Sequence, residues 1–122
     1  MTKPLALLFY SNLMPGSRLI TRLEELGYRV LTVGQISSLQ EVAKTEKPLV
    51  ALAEVSSQGE VLSAISTLKA DAATRHIPVL AYSAEHSKQL QETALKAGVS
   101  LLASSSAVLE QLPQLLDQVL EV

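Results

Sequence analysis

The sequence predicts a single α/β domain in which a parallel sheet is covered by helices on both faces. Three observations predict it. Five short runs are apolar on successive residues, the pattern of strands buried on both sides. Amphipathic stretches of helical period separate them, so strands and helices alternate along the chain and the connections are right-handed crossovers. The chain has 122 residues, 48% of them apolar, enough to build one self-sufficient core and too few for two.

The strands are LALLFY (5–10), YRVLTV (28–33), LVALAEV (49–55), IPVLAYS (77–83) and VSLLA (99–103). After the first comes SNLMPGS (11–17), which reads as a polar loop leading into a helix built on Leu19, Ile20, Leu23 and Leu26. Gly27 supplies its stop. Leu39, Val42 and Ala43 mark a short second helix capped by Ser37 or Ser38. Val61, Leu62, Ile65 and Leu68 form the stripe of the third, and Leu90, Ala94 and Ala97, ahead of Gly98, that of the fourth. Leu112, Leu115, Leu116, Val119 and Leu120 give a fifth helix its apolar face, with Pro113 in the first turn, where a missing N–H costs nothing. No linker, repeat or low-complexity tract interrupts the five βα units.

Composition excludes several chemistries. There is no cysteine, hence no thiolate nucleophile, thiolate zinc site, disulfide or iron–sulfur cluster. A net charge of −2 provides no basic surface for nucleic acid, and Arg18, Arg22 and Arg29 are interrupted by Glu24 and Glu25. The glycines form no dinucleotide or phosphate loop. PLALLFY (4–10) is too short for a signal sequence and lacks a cleavage pattern, and no run approaches a membrane span. The expected location is the cytoplasm, with no membrane partner.

LEELGYRV (23–30), KPLVALAEV (47–55), IPVLAYSA (77–84) and LKAGVSLLA (95–103) resemble, in order and spacing, landmarks of the receiver domain of bacterial response regulators. The resemblance covers almost the whole chain. It implies a flavodoxin-like topology, with five parallel strands in the order 2-1-3-4-5 and five helices. It also implies where chemistry should lie. The receiver's magnesium-binding acid pair falls on Tyr10 and Ser11, its phosphoacceptor Asp on Glu54, and its hydroxyl residue on Ser83. Its lysine falls on Ser105, or on Ser104 if the loop is one residue shorter, and its fifth-strand aromatic on Leu101 or Leu102. One element in five is kept. Magnesium needs oxygen ligands in near-octahedral array, usually with carboxylates, and phosphoryl transfer needs charge neutralisation by metal and lysine. The resemblance therefore implies a degenerate receiver without cofactor or metal, a non-catalytic signalling and protein-interaction module. The alternative is a small-molecule or nucleotide sensor that uses the vacated carboxyl edge of the sheet.

Glu54 has two readings: a carboxylate standing near the position of an aspartyl phosphate and biasing the signalling state, or a solvated strand end. Tyr10 either donates to Glu54 across adjacent strands or packs its ring. Ser83, His86 and Glu54 could be drawn as a nucleophile, base and acid, but no nucleophile elbow supports this. His76 and His86 flank the fourth strand, too far apart to share a metal. Ser104, Ser105 and Ser106 provide capping hydroxyls. For a protein partner or weak homodimer, the resemblance favours the face of the fourth helix, fifth strand and fifth helix. Lys88, Glu92 and Lys96 form one row there, opposite Asp117 and Glu121 of a second copy.

Overall fold

A computed structural model describes residues 4–10, 13–33, 38–55, 61–84 and 87–120, with the side chains of residues 13–16 outside that description. Strands β1 (Leu5–Phe9), β2 (Arg29–Thr32), β3 (Val50–Glu54), β4 (Val79–Ser83) and β5 (Leu101–Ser104) alternate with helices α1 (Leu13–Glu25), α2 (Leu39–Glu46), α3 (Val61–Ala70) and α4 (Lys88–Ala97). Helices α5 (Ser105–Glu110) and α6 (Leu112–Leu120) follow. All strands are parallel and lie in the order β2-β1-β3-β4-β5, as the sequence predicts.

The two-sided cover explains the continuous apolar runs. Successive side chains of a strand point to opposite faces. Leu7, Ala51, Ala53, Val79 and Ala81 enter a core under α2, α3 and α4, joined by Leu39, Ile65, Leu68 and Leu90. Ala6, Leu8, Val50, Leu52, Leu80 and Tyr82 enter the other, with Leu19 and Leu23 of α1, Val108 of α5 and Leu112 of α6. The central strands are buried almost throughout, whereas edge strand β2 is exposed at Arg29, Leu31 and Thr32.

Three local expectations are corrected. There are six helices and not five: the last, α6, lies where the sequence predicts it with Pro113 in its first turn, and the unpredicted one is the short α5 ahead of it. Pro113 has no N–H to donate to the carbonyl four residues back, at Leu109, and α5 ends just before it, at Gln111. The first connection is shorter than SNLMPGS implies. Helix α1 begins at Leu13, because Pro15 falls in its first turn, where N–H groups have no intrahelical acceptor. Ser38 stands at the start of α2 but in helical backbone conformation, and its side chain makes no capping bond. Ser37 lies outside the described residues.

Candidate functional site

The carboxyl ends of β1, β3 and β4 bring three polar side chains together on one face. Glu54 ends β3, and its neighbour across the ladder on β4 is Tyr82. On its other side, Phe9 pairs with Ala53, so Tyr10 continues β1 beside Glu54. Leu52 and Tyr82 belong to the core under α1, α5 and α6, and Tyr10 packs against it. By strand alternation Glu54 faces that same side. The carboxylate is half-buried and stands between two phenols.

Tyr82 is the member that sequence reasoning missed. It is fully buried, and its hydroxyl has no hydrogen-bond partner among the described residues. Burial raises its pKa well above the ordinary phenol value, and the charge of Glu54 and the phenol of Tyr10 push it the same way. The signal in the sequence is slight: a single hydroxyl-bearing ring inside the apolar run IPVLAYS.

Ser83 goes the other way. It follows Ala81 onto the α2–α3–α4 side, where it is buried, and its neighbour on β5 is Ser104. Ser83 and Glu54 therefore occupy opposite faces, which leaves the imagined nucleophile and acid apart, and His86 is outside the described residues. Ser104 caps α5, its Oγ accepting from the Ala107 N–H at 3.1 Å. Ser105 is the first residue of that helix. The capping role expected of the serine cluster is thus filled by Ser104. Ser11, at the second acid-pair position, lies outside the described residues.

The donor set does not suit magnesium. Among the described residues, no group of three or more His, Asp or Glu side chains could hold a metal. At the positions of the receiver pocket, the described residues offer one carboxylate, a phenol and serine hydroxyls. The partner face is placed as follows. Lys88, Glu92 and Lys96 are exposed along α4, beside Leu95, which is 52% exposed. Asp117 is exposed on α6, and its charge, after burial, contributes to raising the pKa of Tyr28. That carboxylate thus leans toward the start of β2. Glu121 lies outside the described residues.

Neither a protein-family model nor a curated protein matches this sequence. Solved structures do. The chain is similar to the chemotaxis protein CheY4 of Vibrio cholerae, with TM-score 0.85 and 15% identity over 97% of this chain and 99% of that one. It is similar to the receiver domain of the sensor histidine kinase PA1611 of Pseudomonas aeruginosa, which carries magnesium in its active-site cleft. That match has TM-score 0.84 and 20% identity over 99% of this chain and 100% of that one. The BeF3-activated receiver domain of Klebsiella pneumoniae RstA matches with TM-score 0.83 and 16% identity, over 97% and 99% of the two chains. The chain has the receiver fold.

Proposed function

We propose that the chain is a non-catalytic signalling module of the receiver type, which acts in the cytoplasm through protein contacts and takes no aspartyl phosphate. The observation that carries this reading is the company Glu54 keeps. At the position of the phosphoacceptor stands a longer carboxylate, turned to the face where Tyr10 and Tyr82 flank it. A phosphorylated carboxylate needs its equatorial oxygens neutralised by metal and lysine. Here the acid-pair positions hold Tyr10 and Ser11, and the lysine position is Ser105 in the first turn of α5. The contact surface is the α4–β5–α6 face, where Leu95 adds an apolar point to the row Lys88, Glu92 and Lys96.

The test is a titration with acetyl phosphate, and separately with beryllofluoride, in the presence of magnesium, followed by amide resonances. The signals of Tyr10, Glu54 and Ser83 are expected to stay in place. A saturable, magnesium-dependent shift at these residues overturns the reading.

A further inference from the structure

The opposite edge of the sheet carries a second feature, independent of the carboxyl-edge reading. Where β1, β3 and β4 begin, an open cleft of about 650 Å³ is lined by Leu5, Leu49 and Leu120 and by Pro4, Pro48 and Pro78. That volume falls in the ordinary range of small-molecule sites. A smaller cavity of about 330 Å³ adjoins it and shares Leu5, Arg29 and Glu46 as walls. Leu49 is 47% exposed there, so apolar surface is left open to solvent.

The rim of this cleft is cationic. Arg29 and Lys47 line it against Glu46, the single acid among its described lining residues, with His76 also in the lining. Among the described residues, neither Arg29 nor Lys47 forms a salt bridge. Lys47 is held there at some cost: it closes α2 in the left-handed region, with φ 50° and ψ 62°, and is the one non-glycine described residue at positive φ. Glycine is the ordinary occupant of such a helix end.

The backbone at this edge has little left to offer a visiting peptide strand. The three prolines carry no N–H. The carbonyls of Pro4 and Pro78 already accept from Arg29 at 2.8 Å and Ala51 at 3.0 Å, and the Leu49 N–H is given to Leu5. Recognition must come from apolar contact and the rim charges.

We propose that the amino edge of the sheet is a binding site for a small amphiphilic anion, an apolar body bearing one carboxylate. The apolar part lies on Leu5, Leu49 and Leu120, and the carboxylate meets Lys47 and Arg29. The probes are octanoate and, as the uncharged control, octanol, each titrated below its aggregation limit into the whole chain and followed by amide resonances. Octanoate should shift residues 5, 49 and 120 saturably, and octanol, which lacks both ion pairs, should bind about 25-fold more weakly. Lys47→Gly should melt no lower than the native protein, because it relieves the left-handed backbone, yet bind octanoate about fivefold more weakly. Arg29→Gln, at an exposed position on the edge strand, is the second variant and should show the same loss. Absence of a saturable shift at these residues, equal affinity for octanol, or unchanged octanoate affinity in both variants overturns the proposal.

Discussion

Tyr82 places a phenol hydroxyl inside the sheet's core with nothing to donate to among the described residues. An unsatisfied buried donor costs about 1–3 kcal/mol, so removing that oxygen while keeping the ring should relieve the fold. Tyr82→Phe is expected to raise stability by up to about 1 kcal/mol in urea unfolding. A loss of more than that amount would mean the hydroxyl is bonded in solution. Glu54 itself is half-buried at a strand end. Glu54→Gln is expected to change stability by no more than about 0.5 kcal/mol, so any larger drop in the same assay would make it a structural anchor. Sequence spacing found Glu54 because an acid ending an apolar run is conspicuous. It passed over Tyr82 because a tyrosine in such a run differs from a phenylalanine only by an oxygen, and whether that oxygen finds a partner depends on neighbouring strands.

The helix ends show how elements are held in place. Helix α1 closes at Gly27 (φ +95°) and α4 at Gly98 (φ +107°), both in the left-handed region that favours glycine. They differ in surroundings. A Cβ at Gly27 meets nothing within 4 Å, whereas one at Gly98 falls 2.5 Å from Cγ of Lys69. The Lys69 stem is fixed because its ammonium donates to the Ile77 carbonyl at 2.6 Å, and partial burial lowers its pKa. Gly27→Ala should therefore cost the backbone penalty, about 1 kcal/mol, and Gly98→Ala about 2 kcal/mol or more. Equal losses in denaturant would show that Lys69 moves aside freely. A second tether joins α2 to the turn before β4. Asp71 accepts from the Ala73 N–H at 2.9 Å and from Gln40, and lies 3.6 Å from Lys44. The Ala73 hydrogen bond leads in holding its carboxyl below the usual aspartate range, helped by Lys44 and Gln40. A carboxylate depressed in the folded state stabilises above its unfolded pKa of about 3.9, and that contribution fades as pH falls through the folded value. Asp71→Asn is therefore expected to melt slightly lower than the native chain at neutral pH and to converge with it by about pH 2. A gap that persists in acid would place the effect in packing.

At the scale of the whole molecule, the proposed contact surface is the α4–β5–α6 face. Lys88, Glu92, Lys96 and Leu95 are exposed on it, and a two-fold axis would make such a face self-complementary. Exposed ion pairs contribute only about 0.2–1 kcal/mol each, so a homodimer through this face should be weak and weaken further with salt. Light scattering over a concentration series should show association that Lys96→Glu abolishes and added Asp117→Lys partly restores. A chain that stays monomeric at about millimolar concentration, where surface pairs alone operate, excludes the face. What the sequence alone determined was the alternation of elements, the parallel two-sided sheet and, through the spacing of its landmarks, the strand order. The first two follow from which residues must leave water and at what period, and the strand order from the resemblance to the receiver domain. The start of the last helix was also written in the sequence, in Pro113, whereas the short α5 ahead of it was not, because Ser105–Glu110 buries only Val108 and carries no apolar stripe. Only the tertiary structure decided which polar groups share a face. Glu54 and Ser83 both lie at strand ends near the same edge, yet alternation within β3 and β4 sends them to opposite sides, and brings Glu54 to a tyrosine 28 positions away. The register between strands comes from packing two cores at once, and no local stretch of sequence carries it.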